Sequence, residues 1–229
     1  AQYRRTTPIE PAPADVDRAA ELLARAQLPM IHAGSGVIHS GAYDELARVA
    51  NALHAPVTTS WAARGALPET SELAIPMTFV KLNHEVRNDA DAVLVVGSRL
   101  GETDWWGKPP YWRHPSEQKT IQVDLDADII GLNKPADLGI VADARRFLEL
   151  LGDELQKRQG EIRLDVRRTR VAGYAKAMQD DRAGWDKALA DASVPMHPAH
   201  IAAVCGRVFP QGSVLVADGG NATIWAMFH

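Results

Sequence analysis

The last sixteen residues, VLVADGGNATIWAMFH, hold a pattern that suits a ligand. Val214, Leu215, Val216 and Ala217 read as a buried parallel strand, and Asp218-Gly219-Gly220-Asn221 breaks it as a strand-to-helix turn would. A second such break is Gly34-Ser35-Gly36, which follows a short apolar strand at Leu28–His32. It begins like a dinucleotide fingerprint, but His39 stands where the third glycine belongs. Either this is a tight turn with no ligand, or its backbone N–H groups face an anion at the next helix. Asp124-x-Asp126-x-Asp128 has the spacing of a calcium loop, yet Ile129 replaces the obligatory glycine and Pro135 the bidentate glutamate. Carboxylates at a strand end more often accept from ribose hydroxyls or cap the next helix. His197 and His200 lie three apart near a helix start without further ligands at metal spacing. Cys205 falls on the apolar face of that helix and reads as a core residue. No Ser/His/Asp arrangement stands out, so no catalytic and no metal residue is assigned.

Trp105-Trp106-Gly107-Lys108-Pro109-Pro110-Tyr111-Trp112 places three of the six tryptophans within eight residues. Aromatics in a loop after a strand end either stack on a flat ligand or bury themselves at a subunit interface.

The elements that must position these residues alternate. Apolar strands are expected near 28–32, 56–59, 90–100, 119–126 and 138–143, and amphipathic helices near 15–26, 41–54, 79–89 and 143–155, with a loop of about twenty residues after 59. Continuous apolar strands between amphipathic helices predict a doubly wound parallel α/β sheet, Rossmann-like, over residues 15–155. Ligands of such sheets sit beyond the carboxyl ends of the strands. That rule selects Gly34 and Gly36, Ser98-Arg99-Leu100, Asp124 to Asp126, and Ala142-Asp143. Residues 1–14 read as a Pro-rich linker and 156–195 as a charged helical connector. Residues 196–229 supply one helix, with Ile201, Val204, Cys205 and Val208 on one face, and one strand of a second, incomplete α/β unit.

With 229 residues, 46% of them hydrophobic and 24% charged, the chain has the composition of a globular protein with a sizeable core. A net charge of -4 and a pI of about 6.1 give no strong attraction for nucleic acid or an anionic membrane. No apolar run approaches the roughly 18 residues of a membrane span. The single cysteine rules out an internal disulfide and favours a cytoplasmic setting. The first residue is not methionine, and the opening Ala1-Gln2-Tyr3-Arg4-Arg5 reads like the interior of a longer protein.

The order of these stretches resembles one family. AELLARAQLPMIHAGSGVIHSGAYDELARVANALHAPVTTSWAARGALPE, DADAVLVVGSRLGE, IQVDLDADIIGLNKPADLGIVADARRFLELL and MHPAHIAAVCGRVFPQGSVLVADGGNATIWA, taken together, are similar to thiamine-diphosphate-dependent enzymes of the acetolactate synthase type. The likeness spans the family's central domain and the start of its C-terminal cofactor domain, here 196–229. It implies a parent enzyme that uses thiamine diphosphate and Mg2+ to decarboxylate a 2-oxo acid substrate or transfer its acyl group. It implies a homodimer or homotetramer. The activating glutamate and the magnesium ligands of the family match nothing in this sequence, so the chain alone is expected to be inactive. Gly219 and Gly220 would let backbone approach the cofactor diphosphate, and Asn221 would donate to it. The resemblance also implies FAD or ADP in the central domain, at Gly34, Gly36, Arg99, Asp124, Asp126 and Asp143. Arg99 would pair with a diphosphate or stack on adenine, and the aspartates would take ribose or adenine donors. The rival reading is a free-standing module that binds ADP, FAD or NAD as a sensor or partner without catalysis.

Overall fold

A computed structural model describes residues 7–190, 192–214, 216, 220, 223, 225 and 226. It divides into two compact units, residues 1–173 and 174–229.

The first unit is a six-stranded, all-parallel sheet. Its strands are β1 (Pro29–Ala33), β2 (Val57–Thr59), β3 (Ala74–Ile75), β4 (Ala92–Val96), β5 (Lys119–Asp124) and β6 (Leu138–Val141). Their spatial order is β3-β2-β1-β4-β5-β6. The chain therefore reverses direction across the sheet between β1 and β4, which is the switch point of a doubly wound fold. The expected fold class holds. Every strand longer than two residues lies at a predicted position. The two-residue β3 was not foreseen, because two residues carry no periodicity and it lies in the expected loop.

The two faces of the sheet differ chemically. Ile31, Ala33, Leu94, Val96, Ile121 and Val123 point into one apolar core. It is completed by α1 (Pro13–Arg25), α3 (Tyr43–Leu53) and α5 (Ala144–Lys157). Each is an amphipathic helix with its apolar residues at a helical period. The alternate residues Met30, His32, Val93, Val95, Thr120 and Gln122 are equally buried on the other face. Parallel pairing sets His32 beside Thr58 and Val95, and Val95 beside Gln122, so three polar side chains and one valine share a row across the sheet. Gln122 on this face donates to the Ser98 carbonyl, and Gln118, just before β5, donates to the carbonyls of Arg87 and Ala90 at the end of α4 (Val80–Asp89).

The helix expected at 41–54 is present as α3, and a short helix that was not foreseen precedes it. The short α2 (Ser35–Ser40) ends at Gly41, whose φ of +65° makes a left-handed cap, and α3 starts afresh at Tyr43. Gly34-Ser35-Gly36 is thus the start of a helix as well as a turn.

The segment after α5 does not stand apart from the sheet. Arg167, in α6 (Leu164–Ala190), is fully buried. Its guanidinium donates to the carbonyls of Leu23, Ala24 and Ala26 at the end of α1 and to that of Leu53 at the end of α3. One cation thereby satisfies the orphaned carbonyls of two helix C-termini.

The second unit contains the end of α6 and α7 (Pro198–Val208). His197 caps α7 by accepting from the Ala199 amide, and His200 bonds the Leu189 carbonyl. Both imidazoles have these structural partners. The helix face expected to be core is open: Ile201 and Val208 are 55% and 68% exposed, while Ala199 and Ala203 are buried instead. Cys205 is half-buried rather than in a core. The expected strand 213–217 is not formed among its described residues, and Val214 and Val216 are exposed. A lone parallel strand has no neighbour to take up its hydrogen bonds, and one helix cannot cover an apolar face by itself.

Candidate functional site

Two adjoining clefts lie at the carboxyl ends of the strands, where the switch point predicts them. The first, of about 530 Å³, is lined by Ser35, Gly36, His39, Asp124, Asp143 and the extended segment Thr7–Ile9, among others. The second, of about 600 Å³, lies between Trp61, Arg99, Glu102, Asp104 and Asp124. Ser35, Gly97 and Asp124 line both, so the two form one trough across the end of the sheet. Volumes of this size suit a small-molecule ligand.

The predicted residues distribute unevenly over this trough. Gly36, Arg99, Asp124 and Asp143 line it. Gly34 lies beneath, where a Cβ would fall 2.1 Å from the Gly97 carbonyl oxygen. Asp126 sits beside the trough at the start of a 3-10 turn, where its carboxylate accepts from the Asp128 amide. Asp124 accepts from the Asp126 amide, and Asp143 caps α5 by accepting from the amides of Arg145 and Arg146. Gly219 and Asn221 lie outside the described residues. Gly220 has a φ of +101°, a backbone conformation only glycine adopts freely.

The glycines after β1 have a packing role. The Gly34 amide donates to the Val96 carbonyl at 2.8 Å and the Gly36 amide to that of Gly97 at 3.1 Å. The Gly36 N–H is therefore spent within the protein. Arg99 and the hydroxyl-bearing Ser35 and Ser60 line the trough. The segment Thr7–Ile9, read as a linker, forms one wall. It is held there by the Asp143 amide, which donates to the Ile9 carbonyl, and by the Arg146–Glu10 ion pair.

The members of the tryptophan cluster differ in exposure, and Trp106 is 45% exposed. Trp112 is fully buried within its own domain. Its indole N–H donates to the Asp104 carbonyl, the Arg87 guanidinium lies 4.7 Å from its ring and the Lys134 ammonium 5.7 Å. Trp105 stacks on Tyr111 at 4.9 Å. The tryptophan that does line the trough is Trp61, 41% exposed. It stood inside the expected twenty-residue loop, where no periodicity marked it.

Beneath the second cleft runs a buried polar chain. Asp104 lies between His32, whose Nε2 is 3.4 Å from Oδ2, and Arg87, whose Nη2 is 3.6 Å from Oδ1. On its other side, His32 Nδ1 shares a 2.9 Å hydrogen bond with Thr58 Oγ1. Burial opposes the Asp104 carboxylate, but His32 and Arg87 together outweigh it and hold its pKa below the usual value. Burial pushes Arg87 down to about 10 against the pull of Asp104, and Lys134 down to about 8 against that of Asp137. His84 is lowered by burial and then by Arg87. Among the described residues no group of three or more His, Cys, Asp or Glu side chains could hold a metal ion. No helix among them is long and apolar enough to cross a membrane.

A 3-2-1-4-5-6 parallel sheet with a trough at its switch point defines the class of doubly wound, nucleotide-binding-like domains. The particular family follows from comparison. Residues 16–151, more than half of the chain, match the family model described as thiamine pyrophosphate enzyme, central domain, and the chain belongs to that family. It is 32% identical to a sulfoacetaldehyde acetyltransferase of Roseovarius nubinhibens over 75% of this chain and 29% of that protein. It is 29% identical to a 2-hydroxyacyl-CoA lyase of Oryza sativa over 90% of this chain and 35% of that protein. In fold it is similar to benzoylformate decarboxylase from Polynucleobacter necessarius, with a TM-score of 0.52, 21% identity, and coverage of 67% and 29%. The chain thus spans about a third of the length of the relatives it matches.

Proposed function

We propose that this chain is the central scaffold of a thiamine-diphosphate-dependent enzyme of the acetolactate synthase type, and that its trough binds a nucleotide, ADP or FAD. The observation that carries the second part is the donor set at the switch point. One cation, Arg99, stands across a shared floor from the carboxylate of Asp124, with the hydroxyls of Ser35, Ser60 and Ser98 around them and an aromatic face at Trp61. A cation and hydroxyls suit a diphosphate, and a carboxylate suits ribose hydroxyls. The spread of activities among relatives supports the first part, since acyl transfer, lyase and decarboxylase chemistry share a cofactor-borne carbanion.

In this reading residues 15–155 form the nucleotide-binding domain and 156–195 connect it to a cofactor domain that begins at 196. Thiamine diphosphate with Mg2+ supplies the carbanion chemistry, on a 2-oxo acid or acyl substrate. Gly219, Gly220 and Asn221 of this chain lie against its diphosphate. The general acid and the metal ligands come from other parts of the protein. The whole enzyme works in the cytoplasm as a homodimer or homotetramer.

Titration calorimetry of the chain with ADP and with FAD tests the trough, and binding of neither removes the nucleotide reading. An assay with thiamine diphosphate, Mg2+ and pyruvate or benzoylformate tests the rest. The chain alone gives no turnover, and turnover by it would overturn the division of labour proposed here.

A further inference from the structure

We infer that Asp104 is a positioning residue for the trough, acting through Arg99; the inference rests on the nucleotide reading above. The loop after β4 has an unusual backbone. Gly97, Leu100, Trp105, Trp106 and Gly107 all have φ between +50° and +63°, and three of these five are not glycine. Left-handed residues with bulky side chains persist only where the surroundings over-determine them, and such strain gathers at ligand clamps.

What over-determines this loop is Asp104. Its carboxylate is clamped between His32 at the end of β1 and Arg87 on α4. Its carbonyl accepts from buried Trp112, and its amide donates to the Gly101 carbonyl. The same Gly101 carbonyl takes the Trp106 amide, so one acceptor closes both halves of the turn. Gly101 in turn is the surface on which Arg99 lies: a Cβ there would come 3.2 Å from Arg99 Nε. A chain of contacts therefore runs from the buried ions through Asp104 and Gly101 to the guanidinium that faces the ligand. Asp104 touches the cleft itself and is 3% exposed, so its charge is directed inward at His32 and Arg87.

The test uses Asp104→Asn, which keeps the shape and removes the charge. Amide exchange reads the loop directly. In the wild type the amides of Asp104 and Trp106 are protected; in Asp104→Asn they exchange faster while α1, α3 and α5 keep their protection. Unchanged exchange at 104 and 106, or a uniform loss of protection, overturns the inference. ADP titration reads the consequence. Asp104→Asn weakens ADP binding by about tenfold or more, the loss expected when a contact to a charged group is misplaced. Arg99→Met weakens it similarly, and the double variant is no worse than Arg99→Met alone, because both changes remove one interaction. Additive losses would show that Asp104 does not act through Arg99. If the wild-type chain binds neither ADP nor FAD, the nucleotide reading fails, and the exchange result alone decides whether Asp104 locks the loop.

Discussion

Gly36 and Gly97 pass so close that a Cβ built on either would lie 2.6 Å from the other's Cα. This contact joins the turns after β1 and β4, the two strands that flank the switch point. Gly36 also donates to the Gly97 carbonyl, so the floor of the trough is backbone on backbone.

Gly36→Ala should therefore destabilise the fold before it affects any ligand. The new methyl meets backbone, which has to move, and overpacking of this kind costs roughly 1–3 kcal/mol. Gly97→Ala should cost more, since its φ of +61° adds strain for any residue with a Cβ. Thermal unfolding followed by circular dichroism measures both. At about 2–4 °C per kcal/mol for a chain of this size, the fall is readily seen, and an unchanged midpoint for both variants would remove the packing role.

Arg167 should be worth more than any surface ion pair. Arg167→Met leaves the carbonyls of Leu23, Ala24, Ala26 and Leu53 without their donor, at a cost of about 3 kcal/mol or more. Truncation after Lys157 removes the same contact. Urea unfolding should show a similar loss for the substitution and the truncation. A truncated chain as stable as the full one would mean that α6 is dispensable to the sheet unit.

Lys134 sets a pH dependence. Burial lowers its amine to about 8 from 10.5, so the folded chain holds this proton less tightly than the unfolded one. Between those values the unfolded state binds more protons, and stability rises with pH through that window. Below about pH 8 the buried charge weighs against the fold. Lys134→Met should thus raise the melting temperature at pH 7 and flatten the rise between pH 8 and 10. Parallel curves for the two proteins would refute it.

His84 acts in the same sense at lower pH. Its imidazole is lowered from 6.5 by burial and by Arg87, so stability is lost as pH falls below 6.5. His84→Gln should reduce the difference in melting temperature between pH 7 and pH 5. An unchanged difference would place the acid sensitivity elsewhere.

Much of this arrangement was legible in the residues themselves. The runs VLVV and IQVD, the helical period of Leu46, Val49, Ala50 and Leu53, and the strand-end positions of Arg99, Asp124 and Asp143 sufficed for a parallel sheet and for the end of it that carries the trough. Hydrophobic period and turn residues are local properties, and they are written into a short window of sequence. Membership of the thiamine-diphosphate enzymes was also readable there, from the order of motifs.

Other features depend on residues far apart in the chain. Gly36 is needed because Gly97 passes over it, 61 positions later in the sequence, which only the pairing of β1 with β4 brings about. Trp112 is a buried anchor because Arg87 and Lys134 converge on it from separate elements. Gln122 interrupts an apolar strand without breaking it, because the face it meets offers the Ser98 carbonyl to its amide N–H and the Gly131 amide to its oxygen. Period and composition report which side of an element is buried. Whether that side meets methyl groups, a carboxylate or another backbone is settled only when distant segments pack, since that is when each buried polar group must find its partner.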